Sequence, residues 1–551
     1  MRALPGLVAL ANARAAPQAP ARLLVAVDVG TSSARAAVAD PTGALLARAE
    51  QPIELHRPDA KHAEYSSEQI WGAVCRAVRT AMDAAGAKPE EVVGISFDAT
   101  CSLVVRDRAG APLSVSRDGD GQWDTIAWLD HRALAEAAEC TASRHRVLDF
   151  VGGVMSPEME VPKLLWLKRH LPQAWAEAGY FFDLADFLTW KAAGSLARSQ
   201  CTLTCKWTYL AHAEPGWQHD FFTELGLDDL LERGNLPARA TPIGTDLGPL
   251  TADAAAALGL TKNCRVGAGM IDAHAGTLGT LGGLAAEPET IERHLALIAG
   301  TSSCVMFQAR RIEPLRGAWG PYFEAVLPGL WALEGGQSAT GALLDHLIRW
   351  HGAGGEPTAA THQAIAARVM ALREVEGLGL AARLHVLPDF HGNRSPLGDP
   401  QALGVISGLT LDSDFDSLCR LYWRTAVAIA LGIRHILEAL AGRGHPIDAL
   451  HITGGHTRNP LLMELYADAT GCTVVESASQ DPTLLGVAMV AAKAAGIYGS
   501  LGEAAAAMQQ GGRERLPDPA ARPQFDKDYR IFLEMIRQRQ TLDRMHASAL
   551  T

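Results

Sequence analysis

The sequence is poor in cysteine, which excludes a fold held together by disulfide bonds. Nine cysteines in 551 residues are too sparse for a disulfide framework, and an odd number cannot all pair within one chain. The closest pair, Cys201 and Cys205, has no second pair nearby that would complete a zinc site. We therefore expect reduced thiols and no metal at this pair.

Long apolar runs and basic clusters are also missing. No apolar run reaches the about 20 residues that a membrane-spanning helix needs. The 49 basic and 61 acidic residues give a net charge of −12, and no Lys/Arg-rich segment provides the positive surface of a nucleic-acid-binding protein. These absences predict a cytoplasmic protein that binds small molecules, with neither a membrane nor a nucleic acid as partner.

The length and composition are those of a globular protein with at least two domains. Hydrophobic residues make up 48% of the chain and charged residues 20%, so each domain has enough apolar side chains to form its own core. Residues 1–21 are rich in Ala and Pro and contain no acidic residue. We interpret them as a loose tail, with a targeting segment as the alternative.

Two segments with the same pattern indicate an internal duplication. Residues 23–40 and 295–308 each contain an apolar run, a Gly-Thr-Ser turn and a second apolar run, which predicts two β-hairpins. Each hairpin precedes a region of alternating elements, with predicted strands at 92–96 and 451–453 and predicted helices at 66–85 and 421–441. We expect two α/β lobes that face each other across a cleft, with their boundary within 279–288.

The two Gly-Thr-Ser turns are candidates for binding nucleotide phosphates. A turn of small residues exposes backbone N–H groups and hydroxyls to phosphate oxygens, although one copy alone is equally an ordinary hairpin turn. Two opposed copies can clamp one polyphosphate. Asp28, at the end of the first predicted strand, is placed to orient water around a Mg²⁺ ion. The turn residues are Gly30, Thr31, Ser32, Gly300, Thr301 and Ser302.

Asp272 is the candidate catalytic base. It follows the end of a predicted strand of small residues, in the segment GAGMIDAHAG. Phosphoryl transfer needs a carboxylate that accepts the proton of the acceptor hydroxyl. Capping of the next helix is the alternative role, and one aspartate can serve both.

A Gly-Gly turn in the second half is a candidate adenine site. Gly454 and Gly455 follow a predicted strand, and Asn459 lies near the start of the next helix. Glycine lets a flat base approach the backbone, and the Asn459 amide offers hydrogen bonds to it. A helix entry that needs glycine only for its geometry is the alternative, and the position in the second lobe favours the adenine site.

Beyond these motifs, the chain resembles the FGGY carbohydrate kinase family within the actin-like ATPase superfamily. The resemblance extends from residue 23 to about residue 496 and rests on an ordered set of segments: DVGTSS, GISFDAT, WLDHRA, KLLWLK, GAGMIDAHAG, AGTSS, EGGQSATG, GNRSP and TGGHTRNPLLMELYAD. It implies two ribonuclease-H-like lobes with ATP and Mg²⁺ between them, and transfer of the γ-phosphoryl group to a sugar hydroxyl. It also implies that Asp272 is the base and a metal contact, and that Gln337 joins the ATP site.

The resemblance divides the chain into functional segments. Residues 22–285 form the lobe that binds the sugar, and residues 286–515 form the lobe that binds the nucleotide. Residues 516–551 are expected to be a C-terminal helical extension. The oligomeric state is not readable from one sequence, because interface and core positions look alike, and a homodimer stays open.

The segment TCSLV resembles the signature of D-ribulokinases and directs the prediction to D-ribulose. Its candidate sugar contacts are Asp98, Thr100, Cys101 and Ser102, whose alternative role is to satisfy buried neighbours. Lys206 resembles the lysine that reaches the ketose in ribulokinases, and its alternative is a lysine packed along Trp207 with its head in solvent. The roles of Glu324 and Asp481 stay open.

The sequence thus predicts an ATP-dependent kinase that converts D-ribulose to D-ribulose 5-phosphate. L-ribulose or another pentulose or pentitol is the first alternative, because a few misplaced hydrogen bonds decide a sugar's stereochemistry. The second alternative is a non-kinase ATP-binding switch of the same fold, which needs no sugar site.

Overall fold

The computed structural model describes residues 22–548. The predicted tail, residues 1–21, lies outside the described residues. Among the described helices, none combines the length and the apolar character needed to cross a membrane.

The first half of the chain contains mostly short helices between strands. Its strands are β1 (Leu23–Val29), β2 (Ser33–Ala39), β3 (Leu45–Pro52), β4 (Glu64–Tyr65), β5 (Val92–Ala99), β6 (Leu103–Asp107), β7 (Thr125–Ile126), β8 (Ala178–Asp183), β9 (Asp246–Pro249), β10 (Arg265–Gly267) and β11 (Met270–Ile271). Its helices are α1 (Ser67–Ala85), α2 (Leu134–Ala142), α3 (Glu160–His170), α4 (Pro172–Glu177), α5 (Leu184–Ala193), α6 (Gln200–Lys206), α7 (His219–Glu224), α8 (Leu230–Arg233), α9 (Ala252–Leu258) and α10 (Asp272–Leu281).

The second half has fewer strands and longer helices. Its strands are β12 (His294–Ala299), β13 (Ser303–Ala309), β14 (Trp319–Phe323), β15 (Trp331–Gln337), β16 (His385–Leu387), β17 (Val405–Ser407), β18 (Ala449–Thr453), β19 (Thr473–Ser477) and β20 (Gly512–Arg515). Its helices are α11 (Pro288–Ile291), α12 (Gly341–Trp350), α13 (Ala359–Glu376), α14 (Phe415–Ala441), α15 (Pro460–Thr470), α16 (Pro482–Ala494), α17 (Leu501–Met508) and α18 (Arg522–Ser548).

Two sheets of equivalent topology confirm the internal duplication. The first sheet has the order β3-β2-β1-β5-β10-β9, with β11 also paired to β5, and the second has the order β14-β15-β13-β12-β18-β19-β20. In each sheet an antiparallel hairpin is followed by parallel strands, β5 beside β1 and β18 beside β12. Both predicted hairpins are therefore confirmed.

Local signals explain where the predicted elements begin and end. Helix α1 begins after Ser66, whose side chain accepts a hydrogen bond from the backbone N–H of Gln69, and it ends at Gly86 in the left-handed conformation. Helix α14 begins six residues before the predicted start, because Asp414 caps it. Strand β5 continues past the predicted end, residue 96, to Ala99.

A shared core lies between the two sheets and is built around helices α10 and α16. Both helices are rich in small apolar residues, and their backbones meet closely. A Cβ atom on Gly279 would lie 1.9 Å from the carbonyl oxygen of Pro482, and one on Gly486 would lie 2.1 Å from that of Ala275. Helix α16 also packs on β1 and β5, so a helix from the end of the chain covers the first sheet.

The C-terminal helix α18 completes the core of the second lobe. Its apolar residues pack with α14 and α15, among them Phe525, Tyr529 and Phe532. A buried, two-fold hydrogen-bonded ion pair joins Arg424 of α14 to Asp528, with both N–O distances at 2.9 Å. Residues 516–548 are thus largely helical and packed against the lobe.

Candidate active site

Three carboxylates meet at one edge of the first sheet. Asp28 on β1 is in register with Asp98 on β5, and Asp98 is in register with Met270 on β11. Asp272 therefore begins helix α10 just beyond that edge. The carboxylates of Asp28 and Asp98 both interact electrostatically with that of Asp272, so the three lie close together. Asp28 and Asp98 are buried, and Asp272 is half-buried.

Positive charge balances this carboxylate cluster only in part. Burial raises the pKa of Asp28 to about 7, although the Arg35 guanidinium, 2.6 Å away, acts in the opposite direction. Burial and the neighbouring charges of Asp28 and Asp272 raise the pKa of Asp98 well above its usual range. Burial also raises the pKa of Asp272, against the N–H of Ala273, which donates to it over 2.7 Å. An added cation would stabilise the ionised cluster.

The first Gly-Thr-Ser turn connects β1 to β2 and is fixed by aromatic side chains. The N–H of Gly30 donates to the carbonyl of Ser33 over 3.0 Å. The Tyr65 hydroxyl donates to the carbonyl of Thr31, and the indole N–H of Trp128 donates to the Thr31 hydroxyl over 3.1 Å. Ser32 is exposed. Tyr65 and Trp128 thus fix the turn at Thr31, whereas Ser32 at its tip is accessible to solvent.

The second turn connects β12 to β13 and lies against the start of α12. The N–H of Gly300 donates to the carbonyl of Ser302 over 2.8 Å, which closes the turn. The carbonyl oxygen of Gly300 accepts a hydrogen bond from the N–H of Gly341. A Cβ atom on Gly341 would lie 2.6 Å from the same oxygen. Thr301 and Ser302 are exposed. Both turns have hydrogen-bonded glycines and an exposed serine, but Gly30 donates to the third residue after it and Gly300 to the second.

The Gly-Gly turn lies beside the second Gly-Thr-Ser turn. Gly454 has φ +89°, and a Cβ atom there would lie 2.5 Å from the carbonyl oxygen of Ala299. The side chain of Asn459 caps helix α15 and donates to the Tyr422 hydroxyl over 3.0 Å. The Gln337 amide likewise donates to the carbonyl of Ile429. The amide side chains of Asn459 and Gln337 therefore both donate to groups of helix α14, and their contact with the nucleotide stays a prediction.

The residues after β5 lie near the carboxylates, but their hydroxyls have partners in the first lobe. Thr100 and Ser102 are buried, with their hydroxyl oxygens 3.4 Å apart. Ser102 also accepts the backbone N–H of Trp128. Cys101 belongs to the shared apolar core. Of these candidates, Asp98 lies in the carboxylate cluster, and sugar contact by the others stays a prediction.

Lys206 is buried at a contact between the two lobes. Its Nζ lies 4.0 Å from a carboxylate oxygen of Glu334 on β15 and 4.2 Å from the ring centre of Trp319 on β14. The alternative interpretation, in which its head lies in solvent, is therefore wrong. The contact of Lys206 with a sugar stays a prediction.

Glu334 and Arg394 are polar residues of this site that the sequence analysis did not single out. Arg394 pairs with Glu334 and stacks on Trp319, 4.2 Å from the ring centre. Burial raises the pKa of Glu334, but the charges of Lys206 and Arg394 outweigh it and hold the pKa at about 2. Glu334 and Arg394 belong to the segments EGGQSATG and GNRSP, but nothing in these segments indicates that the two side chains meet.

Glu324 and Asp481, whose roles the sequence did not decide, each connect the two halves of the chain. The carboxylate of Glu324 accepts a hydrogen bond from the Gln200 side chain over 3.1 Å. Asp481 caps helix α16 and lies 3.2 Å from the guanidinium of Arg48 on β3. Both carboxylates therefore have structural partners.

Almost the whole chain is similar to known proteins. Residues 23–279 match the model for the N-terminal domain of the FGGY family of carbohydrate kinases, and residues 295–495 match the model for its C-terminal domain. A human protein named as FGGY carbohydrate kinase domain-containing is 44% identical, covering 94% of this chain and 97% of its own length. A D-ribulokinase of Saccharomyces cerevisiae is 38% identical, covering 84% of this chain and 70% of its own.

Solved structures agree with the predicted fold. A xylulose kinase from Rhodospirillum rubrum superposes with a TM-score of 0.78 at 24% identity, covering 95% of this chain and 99% of its own. At this identity the likeness concerns the fold alone. The predicted fold, two α/β lobes of the actin-like ATPase type, is confirmed.

Proposed function

Since the chain belongs to the FGGY family of carbohydrate kinases, we propose that the sugar this ATP-dependent kinase phosphorylates is a pentulose, D-ribulose. The product is D-ribulose 5-phosphate. Two observations support this choice of sugar: the similarity to the yeast D-ribulokinase and the TCSLV segment, which follows β5 and runs into β6. Similarity to bacterial ribulokinases, at 29% identity, supports a pentulose as the class.

The position of Asp272 carries the mechanism. Asp272 begins α10, and its half-buried carboxylate interacts electrostatically with Lys206 and Glu334. It also interacts with the carboxylates of Asp28 and Asp98. In the proposed reaction Asp272 takes the proton of the terminal sugar hydroxyl. The hydroxyl oxygen forms a bond to the γ-phosphorus as the bond from that phosphorus to ADP breaks. A carboxylate whose pKa is raised by burial is a better proton acceptor than an exposed one.

The carboxylate cluster fits a Mg²⁺ ion. Asp28 and Asp272 offer the oxygen atoms that Mg²⁺ prefers, either directly or through its water molecules. The raised pKa of Asp28 supports a need for added positive charge at this edge. When bound, the ion supplies neutralisation of the phosphate charge. Lys206, in turn, orients the sugar in the proposed mechanism.

A coupled ADP-release assay tests the substrate. D-ribulose, L-ribulose, D-xylulose and ribitol are compared at equal concentrations with ATP and Mg²⁺. The proposal expects the highest kcat/KM for D-ribulose. A higher value for another sugar would replace D-ribulose by that sugar. If no sugar stimulates ATP turnover, the alternative of a non-kinase switch takes its place.

A further inference from the structure

Three potential metal ligands converge in the shared core, outside the carboxylate cluster. Cys201 and Cys205 lie four residues apart on one face of α6, and His274 lies in the first turn of α10. Their ligand atoms all lie within 4.8 Å of one another, and the Cys205 sulfur is 3.2 Å from His274 Nε2. All three side chains are fully buried. We propose that Cys201, Cys205 and His274 bind a thiophilic divalent cation such as Zn²⁺.

The spacing of the three atoms suits such an ion. With Zn–S bonds of about 2.3 Å and Zn–N bonds of about 2.0 Å, tetrahedral ligands lie about 3.5 to 4 Å apart. The ligand atoms lie within 4.8 Å of one another, so rotation of the side chains would bring the longer separations to these values. Three protein ligands of this kind leave a fourth position for a small molecule such as water.

The surroundings also favour bound thiolates. The backbone N–H of Ile271 points at the Cys201 sulfur from 3.4 Å, and such donors stabilise a metal-bound thiolate. Two thiolates and a neutral imidazole around a divalent cation carry no net charge, so the complex is compatible with an apolar core. Binding releases one proton from each thiol, because only the thiolate coordinates.

The ligand types separate this site from the Mg²⁺ position. Sulfur and imidazole ligands select zinc-like ions, whereas Mg²⁺ takes oxygen ligands. The sequence analysis expected no metal here because no second cysteine pair lies nearby. The third ligand, His274, follows Cys205 by 69 residues and becomes visible only when α6 and α10 pack together.

A bound ion would fasten together the two helices that carry the proposed sugar lysine and the proposed base. Lys206 directly follows Cys205 at the end of α6, and Asp272 lies two residues before His274. The inferred site therefore positions both groups without touching the substrate. This inference does not depend on which sugar the enzyme phosphorylates.

Metal analysis of the untagged full-length protein tests the inference. The protein is produced with Zn²⁺ in the medium and dialysed against metal-free buffer, and its metal content is measured by mass spectrometry. We expect about one zinc ion per chain in the natural sequence and less than about a tenth of that in Cys201→Ser and Cys205→Ser. Cys140→Ser is the matched control, since Cys140 is equally buried but lies outside the cluster, and it should retain the ion.

A second measurement covers the case in which the cysteine variants do not fold. Co²⁺ added to the natural protein after zinc removal should produce a sulfur-to-cobalt charge-transfer absorption band, which only thiolate ligation gives. Absence of both the zinc and this band, with free thiols on denaturation, would identify ordinary core cysteines and overturn the inference. A Cys201–Cys205 disulfide in the mass spectrum would overturn it as well.

Discussion

At the scale of single residues, the site depends on buried charges that balance one another across the lobes. Lys206 comes from the first half of the chain, while Glu334 and Arg394 come from the second. Removing one member leaves its partner buried without full compensation, which costs more than the pair itself contributes. The sugar's hydroxyl groups would have to compete with these strong partners for Lys206.

Replacing Lys206 by glutamine is expected to weaken sugar binding selectively. Loss of a charged hydrogen bond of about 1.5 to 3 kcal/mol predicts a rise of the sugar KM by about tenfold or more, with the ATP KM within about twofold. Steady-state kinetics measures both constants. Lys168→Gln is the control, because Lys168 is partly exposed and pairs with Asp229 away from the site. An unchanged sugar KM in a folded Lys206→Gln protein would contradict the assignment.

Buried His456 makes the stability of the second lobe depend on pH. Burial lowers its pKa to about 4, and the ring accepts or donates a hydrogen bond with the Tyr466 hydroxyl over 2.9 Å. Between pH 4 and the unfolded pKa of about 6.5, His456 binds a proton in the unfolded chain but not in the folded chain. The free energy of unfolding therefore decreases as the pH falls. At about 1.4 kcal/mol per pKa unit, this contribution approaches about 3 kcal/mol across the window.

Urea unfolding at pH 7 and pH 5 checks the role of His456. When the pH falls from 7 to 5, the free energy of unfolding should decrease more for the natural protein than for His456→Gln, because glutamine at position 456 has no group that binds a proton. Equal losses in both proteins would show that His456 already binds its proton in the folded chain.

At the scale of elements, glycine turns let two strands approach where a nucleotide is expected. Gly454→Ala places a Cβ atom 2.5 Å from the Ala299 carbonyl oxygen at φ +89°, so the turn must shift. We predict that ATP binding weakens by about tenfold or more, because the shift would displace the proposed adenine site or Ala299, which directly precedes the second Gly-Thr-Ser turn. Calorimetric titration with ATP measures it.

Gly496→Ala is the matched control for that variant. Gly496 also has a positive φ of +65°, but a Cβ atom there meets no atom within 4 Å. It should lose about 1 kcal/mol of stability from backbone strain and bind ATP normally. Normal ATP binding by Gly454→Ala would argue against a nucleotide role for the Gly-Gly turn.

The buried pair of Arg424 and Asp528 attaches helix α18 to the second lobe. Asp528→Ala leaves the Arg424 guanidinium buried without its carboxylate and should cost about 3 to 5 kcal/mol of unfolding free energy. Asp526→Ala, two residues away, removes a partly exposed carboxylate and should cost at most about 1 kcal/mol. Denaturant unfolding compares the two, and similar losses would contradict the account of α18.

The elements that the sequence predicted correctly are those with local signals. Both hairpins and helix α1 have an apolar period, small turn residues and caps within a few neighbours, so nearby residues specify them. The strand-end position of Asp272 is also a local signal, and the structure places Asp272 at the start of α10, whereas its role as the base stays a prediction. Helix α14 starts earlier than predicted because the Asp414 side chain caps its N-terminus.

The contacts that sequence could not predict join distant segments. Glu334, Arg394 and Lys206 come from three separate regions and meet only when the lobes pack. His274 meets the two cysteines in the same way. Helix α16 lies in the segment assigned to the second lobe, but its uniformly apolar sequence does not indicate that it covers the first sheet. Packing between elements, not local pattern, decides these positions.

At the scale of the whole molecule, two sheets of the same topology flank a core of small-residue helices. Helix α10 begins at the proposed base, and its close contact with α16 connects the first sheet to the end of the second lobe. Movement of one lobe against the other would therefore change the surroundings of Asp272 directly. Such closure would exclude water from the transferring phosphoryl group.

The most direct test of this account compares Asp272→Asn with the natural protein on D-ribulose. Asparagine keeps the size of aspartate, and its side-chain oxygen can still accept the N–H of Ala273, but it cannot take the proton. Asp253→Asn, in the first turn of α9 and exposed, serves as the control and should stay fully active. We predict that kcat falls by at least about 100-fold in Asp272→Asn while calorimetry finds ATP affinity within about twofold. Full turnover by Asp272→Asn would contradict the account.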